Sequence, residues 1–102
     1  MHYVALFFLG MLLCNSVPHL VSGLLGQPFP SPFAKPRGVG DSSPLVNFLW
    51  GFVNLLAALA LLGQHPLALT LNADLLTALA GAFVIGVYLA LHFGKVRSAR
   101  NV

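Results

Sequence analysis

Residues 73 to 93, ADLLTALAGAFVIGVYLALHF, form an almost unbroken apolar stretch, and Gly94, Lys95 and Arg97 follow closely behind it. At about 1.5 Å per residue, a helix of this length reaches about 30 Å, the thickness of a bilayer's hydrocarbon core. The stretch therefore predicts a membrane-spanning helix with a cationic end.

Two more apolar stretches of similar length precede it. Residues 3–25 are apolar on every face over positions 4–14, and residues 44–63 carry no charged side chain. Ser43 followed by Pro44 is typical of an N-cap and a first helical residue. The predicted fold class is all-α: one integral membrane domain over residues 1–102, with three transmembrane helices at about 3–25, 44–63 and 73–93.

Residues 26–43 connect the first two helices and are rich in proline and glycine. Such a segment cannot sustain a helix, and spaced prolines favour extended polyproline geometry. We expect a stiff cytoplasmic linker that lies along the membrane surface.

Composition supports lipid as the solvent of this chain. Hydrophobic residues make up 58% of it and charged residues only 7%, far from the balance of soluble domains. The small basic excess excludes a nucleic-acid binder, and a single cysteine, Cys14, excludes an internal disulfide and a multi-cysteine metal site. The lipid bilayer is thus the predicted surrounding, with no nucleic-acid partner.

The charged residues predict an orientation. With three crossings, all five basic residues fall on the side of the linker and the C-terminus, while Asp74 falls on the other. The positive-inside rule makes the basic side cytoplasmic and places the N-terminus outside, as expected in a bacterial inner membrane. We interpret Asp74 as complementing the positive end of its helix, with Asn72 or Thr70 as the cap. His2 and His65, near Asp74, are expected to be solvated surface rather than metal ligands.

Small residues recur at every fourth position of the third helix. Such a row permits close backbone approach, which drives helix association in lipid. We expect another helix, from this chain or a neighbour, to pack against Ala78, Ala82, Gly86, Ala90 and Gly94.

Polar residues fall on one face of each helix. If the helices are upright, Asn15 and Asn54 lie at equal depth, about 18 Å from the outer boundary, and His19 lies level with Tyr88 about one turn deeper. Because unpaired amides are costly in lipid, we expect an inward-facing polar seam. Its members, also the ligand candidates, are Asn15, His19, Ser22, Asn47, Asn54, Tyr88 and His92. His19 is either bonded to Tyr88 or to a carbonyl freed by Pro18, or it contacts a ligand.

No nucleophile beside a base, no phosphate-binding glycine loop and no carboxylate pair is present. The sequence therefore indicates no catalytic residue, metal or cofactor. It favours an interaction protein, either a homo-oligomer or an accessory subunit of a larger membrane complex. Two alternatives stay open: a small oligomeric channel or transporter along Asn15, His19, Asn54 and Tyr88, and a membrane enzyme or redox subunit that uses His19.

Overall fold

The computed structural model describes residues 1–100, so the last two residues of the domain expected over 1–102 lie outside it. It is all-helical apart from one short ladder. In chain order the elements are α1 (His2–Leu24), β1 (Phe29–Pro30), β2 (Asp41–Ser42), α2 (Pro44–Gln64) and α3 (Ala73–Arg100). Each helix is long and apolar enough to cross a membrane.

The helix starts follow from local chemistry. Ser43 caps α2 by accepting the backbone N–H of Val46 at 3.2 Å, and Pro44 is the first helical residue, as the sequence predicted. At α3 the cap is Asn72, whose side-chain oxygen accepts the N–H of Leu75 at 2.9 Å. Of the two caps considered from sequence, the structure therefore selects Asn72.

α3 is longer than predicted. It continues past Phe93 to Arg100, because one glycine does not stop a helix and the basic side chains of its last turn complement the negative helix end. The additional turns bring Arg100 beside the segment that joins α1 to α2.

α1 lies between the other two helices. Both α2 and α3 pack along it, whereas α2 and α3 hardly contact each other. We call the end that carries residues 25–43 the loop end and the end that carries residues 65–72 the turn end. At the turn end a small apolar core fills the space between the helices; it consists of Leu6, Leu9 and Ala78 with Leu61, Leu62 and Leu67 packed against them.

Two glycines allow α1 and α3 to meet at backbone distance. A Cβ on Gly10 would lie 1.8 Å from the carbonyl oxygen of Ala78, and one on Gly81 would lie 2.0 Å from that of Phe7. This contact is the small-residue packing expected of membrane helices.

The segment between α1 and α2 is folded rather than extended. β1 and β2 pair antiparallel, with Phe29 opposite Ser42, and the N–H of Gly38 donates to the carbonyl of Ser31 at 2.9 Å. Gly38 has φ +68°, a conformation that suits glycine. The segment thus supplies hydrogen-bond partners for its own backbone, and it covers the loop end of the helices.

Candidate functional site

Two asparagines join α1 to α2 at mid-length. The side-chain nitrogen of Asn15 donates to the side-chain oxygen of Asn54 at 3.0 Å, and the nitrogen of Asn54 donates to the carbonyl of Trp50 at 2.8 Å. These are the two residues placed at equal depth from sequence. The structure brings them together as a pair within the chain.

Asn47 is the most connected polar side chain of the seam. Its amide nitrogen lies 2.9 Å from the carbonyl oxygen of Phe29, 3.1 Å from that of Ser43 and 3.2 Å from that of Ser42. Its side-chain oxygen lies 2.7 Å from Nδ1 of His19. Asn47 is fully buried and His19 is 2% exposed, so one amide ties α1, β1 and the start of α2 together.

The partner of His19 differs from both alternatives considered from sequence. It is Asn47, not Tyr88 and not a carbonyl released by Pro18. Depth on upright helices does not resolve partners to better than about one 5.4 Å turn, because imidazole and amide side chains reach that far along the axis. Ser22, another predicted seam residue, is buried but makes no side-chain hydrogen bond to a seam residue within residues 1–100.

The two seam residues of α3 do not pair with the polar residues of the other helices: His92 binds the connecting segment, and Tyr88, expected to face inward, is 58% exposed. The rings of Tyr88 and His92 stack with centroids 5.8 Å apart, and Nε2 of His92 donates to the carbonyl of Gly38 at 2.7 Å. Near the helix end, Arg100 binds the carboxylate of Asp41 at 2.9 Å and also the carbonyl of Val39. Hydrogen bonds from α3 therefore fix the connecting segment against the loop end of the helices.

A cleft opens where α2 and α3 diverge above α1. Its volume is about 190 Å³, and the segment between α1 and α2 closes one end of it. We call it the α2/α3 cleft; the lining residues whose side chains carry a polar atom are Asn15, His19, Ser31, Trp50, Tyr88 and His92. Five of the six are polar residues by type, and four of those belong to the predicted seam.

Trp50 lines this cleft but is not among the residues predicted for the polar seam. Its indole Nε1 is buried and has no hydrogen-bond partner within residues 1–100. The spacing of Asn47, Trp50 and Asn54, i, i+3 and i+7, places the indole on the polar stripe of α2. That spacing is the sequence feature from which Trp50 could have been predicted as a member of the seam.

The row of small residues on α3 is occupied over part of its length. Ala78 is buried against Gly10, and Gly86 lies near the sulfur of Cys14, 3.4 Å from where its Cβ would be. Ala90 and Gly94 are exposed, and in the described part of the chain no neighbouring side chain or segment lies within 4 Å of a Cβ on Gly94. α1 thus covers the half of the row toward the turn end and leaves the other half open.

At the turn end, His2, His65 and Asp74 form a hydrogen-bonded chain. Nδ1 of His2 lies 2.9 Å from Nδ1 of His65, and Nε2 of His2 lies 3.0 Å from the carboxylate of Asp74. The three groups follow one another rather than converge, and no cluster of three metal-ligating side chains occurs in the described part of the chain.

The loop end carries the basic residues. Lys35 and Arg37 lie in the connecting segment, and the other three, Lys95, Arg97 and Arg100, lie in the last turns of α3 beside it. Asp74 lies at the turn end with His2. The helical stretch between the two ends therefore carries no acidic or basic side chain other than histidine.

Comparison of the chain with protein-family models, with curated proteins and with solved structures finds no match.

Proposed function

We propose that this chain is an integral membrane interaction protein that crosses the bilayer three times and assembles through its helices. Its partner is either further copies of itself or a larger membrane complex. The observation that carries the proposal is the open arrangement of the helices: α2 and α3 both pack on α1 and hardly touch each other. Most of their surface is left for lipid or for other helices.

Exposed leucines on these helices do not argue for assembly, because lipid tails solvate them as well as a partner would. The uncovered part of the small-residue row, at Ala90 and Gly94, does argue for assembly. Further toward the turn end the same row accepts α1 at backbone distance, and around Ala90 it continues as an apolar groove of about 330 Å³ beside Cys14 and Val17. A second helix seated there would repeat a contact that the chain already makes.

The same proposal includes an orientation in a bacterial inner membrane, with the N-terminus outside and both the 26–43 segment and the C-terminus in the cytoplasm. It is supported by the five basic residues at the loop end and by Asp74 at the other.

A transport pathway within one chain receives less support. Asn15 is hydrogen-bonded to Asn54, and Nδ1 of His19 is hydrogen-bonded to Asn47, so these groups are already engaged within the chain. Toward the turn end the polar seam is followed by the apolar core around Leu6, which would have to open before a solute could pass.

Crosslinking in native membranes tests assembly. In a Cys14→Ala background, Ala90→Cys places a thiol in the open groove, and Val84→Cys places one on an exposed face about 120° around the same helix. We expect Ala90→Cys to crosslink efficiently, to a second copy or to another protein identified by mass spectrometry, and Val84→Cys to crosslink poorly. Equal crosslinking at both positions, together with a monomeric mass in native lipid particles, would contradict the proposal.

A further inference from the structure

Hydrogen bonds around Asn47 determine which ring nitrogen of His19 carries the proton. Because the amide nitrogen of Asn47 faces three carbonyl oxygens, its side-chain oxygen must be the atom that faces His19. That oxygen can only accept, so Nδ1 of His19 is the donor. In the neutral ring Nε2 is then left with a lone pair, and the structure gives it no partner within residues 1–100.

A second unpartnered group lines the same cleft and has the opposite polarity. The indole N–H of Trp50 can only donate, and it is buried without an acceptor among residues 1–100. Buried polar groups are nearly always paired in folded proteins, so a buried donor without a partner requires an explanation. Together, Trp50 and His19 offer a visiting molecule one donor and one acceptor.

The volume and the lining of the α2/α3 cleft restrict the size and the chemical class of the molecule that could bind there. A volume of about 190 Å³ is close to the ~150 Å³ of cavities that hold one benzene ring. Its walls include the stacked rings of Tyr88 and His92, and Phe93 approaches His19 edge-on at a centroid distance of 6.5 Å. Since α2 and α3 hardly meet, the side of the cleft faces the surroundings of the helices, which in a membrane is lipid.

We propose that the α2/α3 cleft binds the ring of a membrane-soluble quinol. One ring hydroxyl donates to Nε2 of His19, a second ring oxygen accepts from Nε1 of Trp50, and the apolar tail leaves between α2 and α3 into the bilayer. This is a binding site, independent of whether the chain assembles with partners. The oxidised quinone lacks the hydroxyl that His19 requires, so the site prefers the reduced form.

Trp50 is the only tryptophan of the chain, so its fluorescence reports on this cleft alone. The experiment titrates the full chain in phosphatidylcholine vesicles with decylubiquinol, and separately with decylubiquinone, without oxygen. We expect saturable quenching by both, with the quinol bound about tenfold more tightly, the order expected for one hydrogen bond.

His19→Leu is expected to remove the preference for the quinol. Phe83→Leu, on an exposed part of α3, is the matched control and should keep both the affinity and the preference. Far-UV circular dichroism checks that each variant is folded. If His19→Leu does not fold, Trp50→Phe supplies the test: equilibrium dialysis should show weaker binding of both forms with the quinol preference retained.

Three results would overturn the proposal. Quenching that rises linearly and equally in wild type and His19→Leu would show partition into the bilayer only. Equal affinity for quinol and quinone in the wild type would show that His19 does not accept a hydroxyl. Loss of quenching when phosphatidylglycerol is added to the vesicles would identify a lipid headgroup as the occupant.

Discussion

Asn47 accepts a hydrogen bond from Nδ1 of His19 at 2.7 Å, and both side chains are almost completely removed from the surface. The pair joins the second helix to the first, and the nitrogen of the same amide holds three backbone carbonyls of the connecting segment and the start of α2. This side chain therefore organises the loop end of the molecule.

Asn47→Leu should be the most damaging substitution among the seam residues. Leucine has a similar size but leaves the N–H of His19 without its acceptor and removes the side-chain donor that binds three carbonyls. A buried group left unsatisfied costs about 1–3 kcal/mol. We expect the free energy of unfolding to fall by about 2–4 kcal/mol, measured by SDS titration in mild detergent with circular dichroism. Asn54→Leu is the comparison and should cost less; the reverse order would contradict the assignment.

The pair of Asn15 and Asn54 should couple energetically. A double-mutant cycle with Asn15→Ala and Asn54→Ala isolates the hydrogen bond of 3.0 Å from the loss of each side chain. Hydrogen bonds between membrane helices contribute about 0.6 to 1.7 kcal/mol, and we expect a coupling energy in that range. Additive effects of the two substitutions would mean that the pair does not form in the bilayer.

Gly10→Ala and Gly81→Ala should separate α1 from α3. In both cases the new methyl group would meet a backbone carbonyl oxygen at 2.0 Å or less, and backbone cannot move aside without the helix. We expect each to lower the free energy of unfolding by about 1–3 kcal/mol, the usual range for overpacking.

Gly94→Ala is the matched control, because among residues 1–100 no packed neighbour lies within 4 Å of its Cβ position on α3. Alanine favours helix over glycine by up to about 1 kcal/mol, so this variant should be neutral or slightly more stable. A similar loss for all three glycines would argue against the α1 and α3 contact.

His92→Phe should loosen the connecting segment. Phenylalanine keeps a ring for Tyr88 to stack on but loses the hydrogen bond to the carbonyl of Gly38. Trypsin cleavage after Arg37 should accelerate several-fold in inside-out vesicles, as expected for the loss of about 0.5–1.5 kcal/mol of local stability. Tyr88→Phe keeps that bond and should be cleaved at the wild-type rate; identical rates for both variants would contradict the contact.

The three helices could be predicted from sequence because each is an apolar stretch of bilayer length with few charges. Helix periodicity also placed Asn15, His19, Asn47 and Asn54 on inward faces, and equal depth paired Asn15 with Asn54. The partner of His19 could not be found this way, because it depends on how α1 and α2 are placed along each other to within one turn.

The folded conformation of the connecting segment was the other feature that could not be predicted from the sequence. Its prolines correctly exclude a helix, but the return of Phe29 to the helices and the binding of Gly38 by His92 are contacts distant in sequence. No local pattern encodes such contacts. Consequently the cleft, which the segment closes at one end, could not be predicted from the chain alone.

The central claim is that lipid surrounds three crossings whose loop end faces the cytoplasm. It is tested most directly by labelling single-cysteine variants with a membrane-impermeant maleimide in intact spheroplasts, in a Cys14→Ala background. Leu69→Cys, at the turn end, should react at once, whereas Lys35→Cys and Ala99→Cys should react only after the membrane is permeabilised. Labelling of Lys35→Cys and Ala99→Cys from opposite sides, or of all three positions in intact spheroplasts, would contradict the account.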